Sequence, residues 1–558
     1  MTDILWQWRN PLPQGNTLRA VIYAQGKYVA VGESGTIMTS GNGTEWQVVA
    51  SGTSNYLSGI TYGNGVFVAV GMEGTILTST DGENWTARES GTSSWLDDVT
   101  FGNGLFAAVG QLGTIVTSRD GSNWSSTNVA AFWLDGVAFG NGMFVAVGTG
   151  GSIFTSSNGA NWLARSSLTN FPLTSIVYGP DQFVAVGGGG TVLISPDGEV
   201  WSSINSNSTA FLEDVTYGNG LYVAVGRDLE LNTGTVLTSA DGREWEAILS
   251  DDYRLLLSVT AGANLFIAVG LGGVILSSPD ALIWTMQSSG VYEELHDITV
   301  GSNILVTVGA NGTVLTSPDG TNWVSRESGT NRNLWGINYT DQVFIAVGDN
   351  GTILRSSNGV NWVTETVSIN NRLRAVAFGN GIFVAVGEKG IALTSNDGRN
   401  WQVRATGTSV SLNGIAFGMG RFVAVGDNRT ILTSANGEDW QQVETMTGSE
   451  SLQAVSYGQG VYVAAGYEGL VLTSTDAQTW TEQRIGEEPP YWLDAEFCQD
   501  RFVLAGTPGK VAFSSNGRQW EVQDTPTGHF LYGISCSSQG AVVVGDLGTI
   551  LQASLTSL

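Results

Sequence analysis

A tryptophan recurs along this chain at almost constant spacing: Trp8, Trp46, Trp85, Trp124, Trp162, Trp201, Trp245, Trp284, Trp323, Trp362, Trp401, Trp440, Trp480 and Trp520. Successive members lie 38 to 40 residues apart, except for 44 between Trp201 and Trp245, where extra residues sit near Arg227 to Thr235. Self-similarity at a fixed period of this length marks a repeat architecture. The chain must therefore stack fourteen copies of one small unit, none of which buries its apolar faces alone.

One unit runs from Tyr56 to Trp85 as YLSGITYGNGVFVAVGMEGTILTSTDGENW. Leu57, Ile60 and Tyr62 open a first strand, a. Gly63-Asn64-Gly65 is a hairpin signal, since Asn-Gly accepts the positive φ values of a type I′ turn. Val66 to Val70 is apolar almost throughout, as expected of a strand b buried on both faces. Strand c follows at Thr75 to Ser79, the Asp81-Gly82 turn comes next, and Trp85 opens strand d. No segment has the period and length of a helix. Four short antiparallel strands in about 40 residues make the blade of a β-propeller. The fold class is therefore all-β, a propeller of fourteen four-stranded blades.

Propellers usually have four to eight blades, so two tandem seven-bladed rings are expected; one large ring is the alternative. A cut at Asp280 gives residues 1–280 as an N-terminal propeller and 281–558 as a C-terminal one. The turn there, SSPDALIWT, has Ala281-Leu282-Ile283 where most units have Gly and polar residues, which a crossing between rings would explain. Trp6 to Asn10 matches strand d, while the last unit stops after strand c. The N-terminal strand is thus placed to complete a blade begun elsewhere.

The turn Ser79-Thr80-Asp81-Gly82-Glu83-Asn84-Trp85 resembles the Asp-box, or bacterial neuraminidase repeat, one residue shorter than its usual form. Ser195 to Trp201 and Ser317 to Trp323 are further copies, and Asn stands for Asp at Asn158, Asn358, Asn436 and Asn516. Over the whole chain the repeat is similar to that of propellers resembling the photosystem II assembly factor, which implies a propeller but does not imply a role in photosynthesis. A motif present in every blade describes the blade. Asp or Asn there accepts hydrogen bonds from its own turn.

Composition narrows the chemistry. Lys+Arg is 23 and Asp+Glu 50, a net charge of −27, so a nucleic acid partner is not expected. Two cysteines, Cys498 and Cys536, fit no disulfide scaffold and are expected to be free thiols. Two histidines, His296 and His529, are expected to be isolated polar residues and not metal ligands. No metal or cofactor motif occurs, and none is expected. The first residues lack a signal peptide and no stretch approaches a membrane span. The expectation is no membrane insertion, with a cytoplasmic location or export by a non-Sec route. Sialidases share the Asp-box but need an arginine triad and an Arg-Ile-Pro signature, which is absent. Tandem-propeller xyloglucanases also carry Asp-boxes and use two carboxylates. Strand a offers Asp97, Asp98, Asp135, Glu213 and Asp214 as weak catalytic candidates for such acid/base work.

The residue before the Leu that opens strand a is more informative. In the first half it is nearly always apolar or aromatic, as at Tyr56, Trp95, Trp133 and Phe211. In the second half it is mostly polar until Tyr491 and Phe530. These residues, with Trp492, lie in loops on one face beside the channel mouth, where aromatic rings take sugars or protein partners. The expected function is a non-enzymatic scaffold binding a protein or a glycan through this face. The alternatives are a polysaccharide-active glycosidase or lyase at the acidic rim, and a self-assembling surface protein.

Overall fold

The computed structural model describes residues 5–129, 131–228, 233–248, 255–262, 264–365, 367–443, 448–486, 488–537 and 539–554. They form fourteen four-stranded antiparallel sheets, numbered in chain order by their a strands from sheet 1 (Leu18–Ala24) to sheet 14 (Leu531–Ser537), and no helix beyond single 3-10 turns. Sheet 3 shows how the repeat folds. Its strands a to d are Leu96–Gly102, Leu105–Gly110, Thr114–Ser118 and Ser125–Asn128. Asn103 and Gly104 both take positive φ, 49° and 71°, as a tight hairpin requires. Strand b is buried along its whole length.

The Ser-x-Asp-Gly-x-x-Trp turn between c and d is closed by its own polar atoms. The Ser118 hydroxyl accepts from the Gly121 N–H at 2.9 Å. Asp120 accepts from the N–H groups of Ser122 and Asn123, both at 2.8 Å. Bonds from the Asn123 backbone and side chain, then from Ser122, hold the Asp120 carboxyl well below the usual carboxylate range. The Trp124 indole donates to Gly121 O at 2.9 Å and its ring lies 6.2 Å from Phe106.

Neighbouring sheets share one core. Val68, Val70 and Ile76 of sheet 2 pack with Leu96, Val99, Phe106 and Val116 of sheet 3. The inner ends of the a strands also interlock. A Cβ on Gly102 would lie 2.0 Å from the Phe139 ring of the next sheet, so only glycine leaves room for it. The same glycine–aromatic junction recurs at Gly140–Tyr178, Gly379–Phe417 and Gly458–Phe497. Between sheets 13 and 14 a different pair fills it. Cys498 takes the glycine's place, Cys536 the aromatic's, and the two form a disulfide with Cα atoms 5.6 Å apart. The expectation of free thiols is corrected: equivalent positions in adjacent repeats lie side by side, whatever their distance in sequence.

The chain divides into two compact units, residues 16–289 and residues 1–15 with 290–558. In the first, the a strands of sheets 1 to 7 contact in order. The last returns to the first: Leu18 and Tyr28 pack with Ile267 and Val269, and Arg19 donates to Leu257 O at 3.1 Å. In the second, Leu295 and Leu305 of sheet 8 likewise pack with Val542 and Val544 of sheet 14.

The boundary differs from the expected cut between 280 and 281. The turn at Asp280 is an ordinary copy: Asp280 accepts from Leu282 N and Ile283 N at 2.9 and 3.2 Å, and Ala281 adopts the φ of 60° that glycine usually supplies. Strand d of sheet 7, Thr285–Met286, then completes that sheet from its own repeat. The N-terminal strand Gln7–Asn10 instead pairs with Ile550–Ala553 and closes sheet 14 in the second unit. Asn10 fixes it there, donating to Gly548 O at 2.6 Å and Val291 O at 2.7 Å. Among the described residues no helix is long and apolar enough to cross a membrane.

Candidate functional site

A register shift opens every strand a of the first unit, as between Leu96 and Asp98 or between Leu212 and Asp214. This bulge re-aims the residue two places after the leucine toward the adjacent strand. Where that residue is aspartate, it ties sheets together. Asp98 accepts from Val99 N at 2.7 Å and from Val137 N of the next sheet at 2.8 Å. Asp214 accepts four bonds: Val215 N at 2.8 Å, Val259 N at 2.9 Å, and the Ser175 and Ser258 hydroxyls at 2.6 and 2.7 Å. Asp297 and Asp494 repeat the device in the second unit. Two of the five carboxylates singled out in the sequence, Asp98 and Asp214, are therefore held as inter-sheet acceptors.

The other three, Asp97, Asp135 and Glu213, face a cavity of about 200 Å³ lined by strand a of all seven sheets of the first unit. Burial pushes Asp97 up to about 7, against the hydrogen bond from Trp133 and aided by Asp135. Burial also lifts Asp98 and Asp135 to about 7. Glu213 is raised by burial too, opposed by Arg19 and Arg227, 3.9 and 3.4 Å away. Arg19 loses hydration, yet Glu213 and the neighbouring acids hold its proton more tightly than usual. Neither arginine was singled out in the sequence. Arg19 lies just after the opening leucine of strand a, the position Asp97 and Glu213 hold in their sheets, so the repeat register was the signal.

Above this channel the aromatic residues of the d–a loops meet. Tyr56 and Trp95 have ring centroids 5.4 Å apart, and Trp95 and Trp133 6.1 Å. The Trp95 indole donates to Ser58 Oγ at 2.7 Å and the Trp133 indole donates to Asp97. Both ring edges are thus fixed, and all three rings remain half-exposed. Phe211 stands apart in this set, 5.1 Å beneath the Arg227 guanidinium.

In the second unit the structure distributes the expected residues differently. Tyr491 is exposed, 4.8 Å from Tyr467, and Phe530 is exposed, 6.0 Å from Tyr532. Trp492 is corrected: it is 0% exposed and occupies the core position of the opening leucine. His296 is buried, donates through Nδ1 to Leu334 O at 2.8 Å and stacks on Trp335 at 4.0 Å. Arg372 covers the other side of Trp335 at 4.4 Å. His529 is buried against Thr549 and Trp8. The channel of this unit, about 190 Å³, holds Asp297, Asp494 and Glu496. Burial raises all three, Asp494 to about 6 and Glu496 to about 8. Glu496 lines this cavity with its side chain exposed in it. Among the described residues no group of three His, Cys, Asp or Glu is arranged to hold a metal ion.

A family model described as the DUF6242 beta propeller domain matches residues 368–493. No curated protein matches the chain. Among solved structures, an ancestral GH74 enzyme is 14% identical with a TM-score of 0.72, covering 99% of both chains. PorZ, a bacterial surface component of the type-IX secretion system of Porphyromonas gingivalis, is 13% identical with a TM-score of 0.67, covering 99% of this chain and 87% of its own. The GH74 xyloglucanase of Xanthomonas campestris is 13% identical with a TM-score of 0.65, covering 99% of this chain and 100% of its own. At such identities the likeness is one of fold: the chain is a β-propeller repeat protein.

Proposed function

We propose that each unit closes as a seven-bladed propeller and that the chain is a non-enzymatic binding scaffold. The contact surface is the d–a loop face of the first unit, and the partner a protein or a glycan. The observation that carries this reading is the ledge formed by Tyr56, Trp95 and Trp133 over the acidic channel mouth. Rigid half-exposed aromatic rings bring large contact area at little entropic cost. The packing of sheet 7 on sheet 1, and of sheet 14 on sheet 8, supports closure at seven. The test is Trp95→Ala with Trp133→Ala. Partner capture should fall at least about tenfold, a loss of roughly 1.4 kcal/mol, while the thermal unfolding profile is retained. Undiminished capture by a folded double variant refutes the site.

A second reading is a polysaccharide hydrolase or lyase. It is favoured by Asp97 and Asp135, whose protons are held to about pH 7 in one channel, as a general acid requires. Incubation with a polysaccharide panel decides it: product release that Asp97→Asn and Asp135→Asn abolish supports it, and no product removes it.

A further inference from the structure

The d–a face of the first unit carries a second set of apolar residues that the repeat does not call for. Met72 and Leu112 sit in the b–c turns of sheets 2 and 3. Phe132, Leu168 and Phe171 sit in the d–a loops that follow sheets 3 and 4. All five are exposed. The b–c turn and the d–a loop lie at the same end of each sheet, because strand a pairs antiparallel with b: Leu96 is opposite Gly110, and Gln111 N donates to Trp95 O at 2.9 Å. These residues therefore lie on the same face as the Tyr56–Trp95–Trp133 ledge.

Two of them are conformationally costly. Leu112 has φ 56° and Leu168 φ 63°, the left-handed region that L side chains with a bulky branch avoid. The position of Leu112 is held by Gly150, Gly189, Asn311 and Asn350 in some turns and by Glu73, Lys389, Glu468 and Leu547 in others, whereas Leu168 stands where Gly52, Gly91, Asn207 and Gly329 stand in theirs. Nothing inside the chain repays the choice, since Leu112 is 57% and Leu168 72% exposed. At Leu168, strain that brings no packing within the fold fits a surface kept for an external contact. Beside Leu168 and Phe171 lies an open hollow of about 730 Å³, bordered by Arg165.

We propose that this surface docks a protein segment that presents apolar side chains flanked by basic ones. The inference rests on the binding face argued above and chooses between its two partner classes. Leucine and methionine offer neither a ring face nor a hydrogen bond to a hydroxylated sugar, whereas they bury readily against apolar side chains. The surrounding charge fixes the sign of the partner. Exposed Glu73, next to Met72, and exposed Glu89 lie on this face, while Arg165 is already tied to Glu199 at 2.5 Å. A second copy of a chain with net charge −27 is repelled from such a face.

The test uses the full chain with Leu112→Asn and Leu168→Gly, each restoring a residue that suits its backbone. The probes are a synthetic amphipathic Lys/Leu peptide and its Glu/Leu counterpart, followed by titration calorimetry. The melting temperature should stay level or rise. The intact protein should bind the Lys/Leu peptide saturably and at least tenfold more tightly than the Glu/Leu peptide, and the double variant should lose at least tenfold. No saturable binding, equal binding of the two peptides, or undiminished binding by the variant overturns the proposal. So does concentration-dependent dimerisation of the intact protein that the variant abolishes, because the occupant is then a second copy. If Trp95→Ala with Trp133→Ala destroys capture of a glycan while the leucine variant keeps it, the binding face stands and this inference falls.

Discussion

Asp214 gives the sharpest test of how the channel acids divide between framework and chemistry. Its carboxylate accepts two backbone N–H groups, from its own sheet and the next, and two serine hydroxyls, one from the sheet on each side. Asp214→Ala removes all four bonds and spares the apolar core. A hydrogen bond to a charged acceptor contributes about 1.5–3 kcal/mol. The hydroxyls can turn to channel water, so the two backbone bonds at the lower figure give a cost of about 3 kcal/mol. For a unit spanning residues 16–289 an unfolding entropy of about 2.1 cal/mol/K per residue makes each kcal/mol about 1.7 °C of melting temperature, so differential scanning calorimetry should show a drop of about 5 °C. Asp214→Asn, which keeps one acceptor oxygen, should fall between. A drop under about 2 °C, or an asparagine variant as damaged as the alanine one, refutes the clamp and returns Asp214 to the catalytic candidates.

Two further outcomes follow from the same structure. The Cys498–Cys536 bridge closes a loop with a sequence separation of 38, so reduction should cost about 3–4 kcal/mol on the chain-entropy account. The protein isolated without reductant should gain two hydrogens in intact mass on reduction and melt earlier. Such bridges persist in oxidising compartments, and a wholly reduced cellular form counts against that setting. Stability should also fall as pH rises. Asp97, Asp98 and Asp135 at about 7, Asp494 at about 6 and Glu496 at about 8 all bind protons more tightly folded than unfolded. Their stabilisation is complete below the unfolded value near pH 4 and is lost as pH climbs through about 6 to 8. Melting at constant ionic strength should decline over that range, less steeply in Glu496→Gln. A flat or rising profile contradicts the burial of these groups.

The tryptophan period and the Asn-Gly and Asp-Gly turns made the four-stranded sheet readable, because each depends on contacts within one repeat. What failed depended on contacts between repeats or on a shift in register. Trp492 looked like a loop aromatic beside Tyr491, yet it fills the leucine's core position. The disulfide had a signal that went unused: Cys498 replaces a junction glycine and Cys536 its aromatic partner one repeat later. Ala281-Leu282-Ile283 read as a crossing because glycine was missing, whereas alanine simply adopts the same backbone conformation. Leu168 carries its own signal in the sequence, a leucine at the turn position where Gly52, Gly91 and Gly329 stand in other repeats.

The N-terminal strand also fixes an order of events. Arg9 hydrogen-bonds to Gln552 across a sequence separation of 543. During synthesis the sheets of the first unit are completed one after another from contiguous chain. The strand made before any of them has no partner until Ile550–Ala553 has been synthesised. Through that interval the second unit lacks its last strand, and when Ile550–Ala553 arrives it presents a free edge, which pairs with any strand offered. On a crowded polysome the neighbouring copy's N-terminal strand is equally suitable. Strand exchange between nascent chains is therefore the characteristic misassembly of this topology, and slow or dilute synthesis is the condition that favours each chain closing on itself.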